Sequence, residues 1–316
     1  MKHTKQYIYL IGKKFYHILP KNLRDKYHDD IKSYLHRVKS EEKIFFKLVN
    51  TPEALDANIT SLLTIKSRTS NITGATIVDR ENKKEKLQDL SEPVLDIEMS
   101  IFEEICVLGN TDALIRENLL YHQELLAMED QHDLKRHDIF IKFDREQKNY
   151  VLVNATKISY LHQKNYIYIT LLKEHTSNYY HWILENMPRL VLITTTLQKI
   201  ENQHLLKDRK IILLIDQDIP KQCIEIINLI FPFNYSLHEI KKGELCNCKN
   251  LLYCSPFWQS LDNTSGKLNN KEFFIDKYGL EIFLKSINAR LNNKSIHSNF
   301  MVDLNIIKNI LKDLDI

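Results

Sequence analysis

Asn178, His181, Glu185 and Arg189 follow one another at intervals of three, four and four residues within Ser177–Leu190 (SNYYHWILENMPRL). On a helix that spacing brings them to one face. An imidazole with a carboxylate one turn further on is the arrangement in which the acid fixes the ring's tautomer and steadies its protonated form. A helix N-terminus opposes protonation of the same ring, so His181 is pulled two ways. An ordinary i,i+4 surface pair has the same spacing and remains open as a reading.

The elements that must position these groups are legible on either side. Asn165–Leu172 (NYIYITLL) is β-branched and aromatic and predicts a buried strand. Ser177 and Asn178 are good N-cap residues, and Leu190 to Leu197 continues as helix. Pro188 cannot donate to the Leu184 carbonyl, so a kink is expected beside Glu185. A strand, a turn and a helix place the group at a strand's C-terminal end, where open α/β sheets bind ligands.

The run Asn178 to Leu190 resembles the signature of glycosyltransferase family 61. Asn178, Tyr180, His181, Trp182, Glu185, Pro188, Arg189 and Leu190 match its Asn-x-Tyr-His-Trp-x-x-Glu-x-x-Pro-Arg-Leu pattern. The resemblance implies an α/β protein of GT-B-like architecture. It also implies inverting, nucleotide-sugar-dependent transfer in capsular or cell-surface polysaccharide assembly. His181 or Glu185 would be the base. Asn178, Tyr180, Trp182 and Arg189 would hold substrate, although packing is favoured over stacking for Trp182 and Arg189 could instead pair with Glu185. The partners implied are a nucleotide sugar and a glycan or lipid-linked acceptor, without a metal or other cofactor.

Composition is that of a globular protein, 43% hydrophobic and 27% charged, with a net charge of +3. That charge is too mild for a nucleic-acid partner. The five cysteines, Cys106, Cys223, Cys246, Cys248 and Cys254, read as free thiols, with Cys246-x-Cys248 buried along a strand rather than opening a metal site. Tyr7 to Ile11 is too short for a signal peptide, and a cytoplasmic location is expected. Lys2, Lys5, Lys13 and Lys14 among aromatic residues suit peripheral docking on the inner face of an anionic membrane, or simply a solvated surface.

Three regions are expected. Residues 1–48 form a helical extension, with helices near Tyr7–Ile18 and Asn22–Val38. Residues 49–94 hold short strands and irregular connections. Residues 95–316 form the family-like region around a mixed or parallel sheet. Strands are predicted at Ile105–Leu108, in a hairpin from Ala113 to Tyr121, and at Ile139–Phe143 and Tyr150–Val153. Further on they are predicted at Lys210–Ile215, Tyr235–Ile240 and Asn250–Cys254. Helices are predicted at Lys221–Phe231, Asp276–Asn292 and Asn305–Leu314.

Asp216-Gln217-Asp218, at a strand exit, has the form that holds a divalent metal on a nucleotide in some transferases. Acidic residues are also common turn formers there, and the resembling family is metal-independent. Sugar transfer needs a phosphate cradle, either a glycine-rich strand-to-helix turn or converging Arg and Lys. After residue 190 the arginines are Arg209 and Arg290 and the glycines Gly243, Gly266 and Gly279, and neither pattern is visible. The donor-binding half of the family is therefore expected to be truncated here, supplied by a second polypeptide, or lost through a divergent tail after Asn293. A non-catalytic, acceptor- or partner-binding half-enzyme is the alternative reading.

Overall fold

The computed structural model describes residues 42–56, 58–66, 68–72, 76–78, 84–86, 90–94, 96–127, 139–144, 150–178, 181–199, 204–259, 274–275 and 281–286. The helices expected before residue 39 and after residue 304 lie outside these, as does Tyr180.

Twelve strands form one mixed sheet. They are β1 (Glu42–Leu48), β2 (Thr60–Ile65), β3 (Ile97–Leu108), β4 (Leu114–Arg116), β5 (Leu119–Tyr121) and β6 (Phe140–Asp144). They continue with β7 (Tyr150–Ala155), β8 (Lys157–Leu161), β9 (Tyr166–Thr170), β10 (Lys210–Asp216), β11 (Tyr235–Ile240) and β12 (Glu244–Cys254). The order is β6-β7-β1-β5-β4-β3-β12-β9-β10-β11, with β8 on β12 and β2 on β3. Short antiparallel pairs join 68–72 to 90–94 and 76–78 to 84–86, in the region expected to hold short strands. One boundary differs from expectation. Residues 42–48, assigned to the helical extension, are strand β1, which pairs with β5 and β7 inside the sheet. Alternation in Glu42–Leu48 explains it, since Phe46 and Leu48 are buried while Phe45 faces solvent.

The half that carries the Asn165–Leu197 segment is parallel. β9 pairs in parallel with β10 and with the second half of β12, and β10 pairs in parallel with β11. Its connections are helical: α2 (Met187–Gln198) follows β9, and α3 (Lys221–Ile230) follows β10. A parallel sheet is covered on both faces, so its strands read as unbroken apolar runs. In β9, Ile167 and Ile169 enter the core beneath α2 and α3, while Tyr168 enters the core on the opposite face. Leu213 and Leu214 of β10 divide the same way. Helix α2 is buried on nearly every side, which suits the continuous Leu190–Ile193 run. A third apolar cluster lies among β1, β6, β7 and the short helix α1 (Gln123–Ala127).

Two backbone features bring the far side of the sheet to this end. Asn250 has φ of 52° midway along β12, where that strand passes from β8 to β9. Its side-chain amide donates to the carbonyls of Lys164 and Tyr166, both at 3.4 Å. Gly109, ending β3, exchanges backbone hydrogen bonds with Gly243 and Glu244. A Cβ there would lie 2.1 Å from the Lys241 carbonyl oxygen, so only glycine allows this approach. The turn after β3 is thereby laid over the C-terminal ends of β9 and β10.

Candidate functional site

Three chain segments converge at those strand ends. Asp216, the last residue of β10, is buried and ties them together. It accepts hydrogen bonds from Lys173 N at 3.1 Å, Thr176 Oγ1 at 2.8 Å and Asn110 N at 2.5 Å. Burial raises its pKa to about 7 even though these donors oppose the rise. Asn110 Nδ2 also donates to the Lys173 carbonyl. The β9 exit, Leu171–Asn178, is thus pinned from two sides. Within it His175 takes φ of 60°, a left-handed conformation of the kind that gathers at functional sites.

The exit leads into a π-turn, Trp182–Asn186, closed by Met187 N donating to the Trp182 carbonyl. The predicted break beside Glu185 takes this form: a residue is inserted into the ladder just before Pro188. Single π-turns inside α-helices are frequent at functional sites. His181 opens the turn, and its Nδ1 lies 2.5 Å from Glu185 Oε1. The His175 and His181 rings are 5.4 Å apart. Trp182 N donates to the Asn178 carbonyl at 3.1 Å, so the helix begins near the expected cap. Asn178 is exposed at the rim.

The shared helix face descends from surface to core instead of lining a cleft. The His181 side chain is 25% exposed and that of Glu185 4%, while Arg189 is fully buried. This corrects the substrate-binding role expected of Arg189. Its Nε donates to the Cys254 carbonyl at 2.9 Å, and its Nη1 to the Leu172 carbonyl at 3.2 Å and Asn186 Oδ1 at 3.0 Å. Its Nη2 lies 3.4 Å from the Thr170 carbonyl. The guanidinium ties the ends of β9 and β12 to α2. Trp182 packs rather than stacks: its ring is sealed in the core with Ile183, Met187 and Leu190, the role favoured for it over contact with a sugar.

Beneath the His181–Glu185 pair is a group that sequence spacing does not reveal: Asp112, His122, Lys173 and Glu174, all buried. Lys173 Nζ lies 3.3 Å from Glu174 Oε2, 3.9 Å from Glu185 Oε2 and 4.0 Å from Asp112 Oδ1. His122 Nε2 lies 2.9 Å from Glu174 Oε1 and 2.8 Å from Asp112 Oδ1. Burial would raise the Asp112 pKa, but the Lys173 ammonium, with the His122 ring beside it, carries it down. These residues come from three separate stretches of chain. The one sequence signal was Lys173-Glu174 directly after an apolar strand.

Asp112, His122 and Glu174 have ligand atoms within 4.8 Å of one another, close enough to hold a metal ion. Two observations argue against that use. The Lys173 ammonium already occupies the electrostatic centre of the group. Leu125 N also donates to His122 Nδ1 at 3.1 Å, the ring acting as the cap of α1. A backbone N–H meets only a lone pair, so the ring's proton is on Nε2, the atom a metal would need. Burial lowers the affinity of this ring for a second proton, whereas Asp112 and Glu174 raise it. We take the neutral Nε2–H tautomer, because the Leu125 contact excludes a second ring proton.

Asp216 and Asp218 do not converge: Asp216 is enclosed by its three donors, and Asp218 sits exposed in the following turn with φ of 67°. Cys246, Cys248 and Cys254 are free, buried thiols of β12. Among the described residues no helix is long and apolar enough to cross a membrane. No family model, curated protein or solved structure matches this chain.

Proposed function

We propose that this chain is an inverting, nucleotide-sugar-dependent glycosyltransferase of cell-surface polysaccharide assembly with a GT-B-like architecture. The observation that carries the reading is the 2.5 Å contact of His181 Nδ1 with Glu185 at the C-terminal end of a parallel strand. The dense signature around the pair supplies the reaction class. Of the two candidates for the base, accessibility favours His181, with Glu185 orienting it from below.

With Nδ1 committed to Glu185, a proton enters and leaves the ring through Nε2. An acceptor hydroxyl would give its proton to Nε2 as its oxygen attacks the anomeric carbon. The bond from that carbon to the nucleoside diphosphate would break on the opposite face, inverting the centre. Glu185 would stabilise the imidazolium that results. Asn178, at the rim, is placed to hydrogen-bond sugar hydroxyls. The donor, the acceptor and any membrane contact of residues 1–48 belong to the same proposal.

One observation favours the second reading, an acceptor- or partner-binding protein without catalysis. Neither described exit from a parallel strand to a helix, Leu171–Asn178 or Gln217–Pro220, contains a glycine, so neither forms the usual phosphate cradle. Two measurements separate the readings. Calorimetry with UDP-, GDP- and CMP-linked sugars gives micromolar binding for the enzyme and no heat for the binding protein. His181→Ala abolishes release of nucleotide while leaving the unfolding temperature unchanged. Undiminished turnover in that variant rejects His181 as the base.

A further inference from the structure

The pair at the surface does not stand alone: charged groups lie beneath it. One ammonium, Lys173, faces three carboxylates, Asp112, Glu174 and Glu185, all buried. His122 contributes no positive charge as the Nε2–H tautomer fixed by Leu125 N. Buried charge is costly unless it is compensated. Glu185 belongs both to this group and to the surface pair, so a change of charge in the group reaches His181 directly.

We propose that Lys173 is a positioning residue for the His181–Glu185 pair: its ammonium anchors Glu185, offsets Asp112 and Glu174, and so sets the proton affinity of His181. Its side chain is 2% exposed, too deep to touch a substrate. Its backbone N–H is held by Asp216, which fixes the root of the side chain. Without the ammonium, three carboxylates would hold the His181 proton too tightly for a base working near neutral pH. Without Glu174, one carboxylate fewer bears on the ring, and it gives up its proton more readily. The titratable groups facing the pair are Lys173, Glu174 and His175 from the β9 exit, and Asp112 from the β3–β4 connection. Among the described residues, His122 ahead of α1 and Asp216 at the end of β10 belong with them.

The idea rests on His181–Glu185 being the working pair, but its test needs no substrate. The imidazole of His181 is titrated by NMR in the full chain, assigned by the signal lost in His181→Ala. A unit charge roughly 7 Å away through an effective dielectric of about 20 moves a titration by about 1–2 pH units. Lys173→Met should move the His181 midpoint up by that amount, and Glu174→Gln should move it down. A side chain that merely fills space would shift neither. Midpoints unchanged, or moving in the same direction in both variants, overturn the proposal. Should Lys173→Met lose its cooperative unfolding transition, the nearly isosteric Glu174→Gln decides alone. Opposite shifts in a protein that transfers no sugar would support the Lys173 role and reject the transferase reading.

Discussion

Replacing Arg189 with lysine separates the two roles that a buried guanidinium in a signature segment can have. The change keeps the charge and most of the stem, but exchanges a planar fork for a point donor. The fork spans two strand ends, the Cys254 carbonyl of β12 on Nε and the Leu172 carbonyl after β9 on Nη1, and also holds Asn186 Oδ1. An ammonium reaches one side of that gap, leaving about two charge-assisted bonds unmade at about 1.5–2 kcal/mol each. The expected loss is therefore about 3–4 kcal/mol, a large share of the ~5–15 kcal/mol that holds a typical domain together. With a urea m-value of about 2–3 kcal/mol/M, the unfolding midpoint should fall by about 1–2 M. Urea titration followed by tryptophan fluorescence measures it, since Trp182 packs in the same core. A midpoint unchanged to within about 0.3 M, coupled with weakened donor binding, would refute the assignment and return Arg189 to the substrate.

Two further outcomes follow from the backbone and from Asp216. Because the folded pKa of Asp216 is raised, its contribution to stability is fully present below its unfolded value near 4 and is lost as pH rises through about 7. Thermal unfolding between pH 4.5 and 8 should show this decline in the native chain and a flatter profile in Asp216→Asn; equal slopes would count against it. Gly109→Ala forces the Lys241 carbonyl and the β3 turn apart. It should cost at least about 2 kcal/mol in urea titration, because backbone rather than a flexible side chain must move. A neutral result there would mean that the turn is not held against β12 as described.

The parallel half of the fold was legible because burial on both faces leaves a simple mark. NYIYITLL and KIILLID are apolar along their whole length, and Lys221–Ile230 begins immediately after Pro220, as expected. The Leu114–Tyr121 hairpin was legible for the opposite reason, a polar turn between short apolar runs. Strand β1 was not, because seven residues beyond a basic, aromatic segment give little periodicity, and their partners in β7 are more than a hundred residues away.

The sequence alone determined the pairing of His181 with Glu185, since four residues along any helical turn bring side chains together, and it determined that the helix must break at Pro188. What it left undecided was how that helix is inclined to the surface, because periodicity says which residues share a face and nothing about which end is buried. Packing of α2 against the parallel strands turned the Arg189 end inward, to the carbonyls of β9 and β12, and kept the His181 end outside. Only the tertiary structure brought Asp112, His122 and Glu174 to Lys173. Their meeting depends on Gly109 admitting the β3 turn over the strand ends, a contact between segments distant in the chain that local spacing cannot encode.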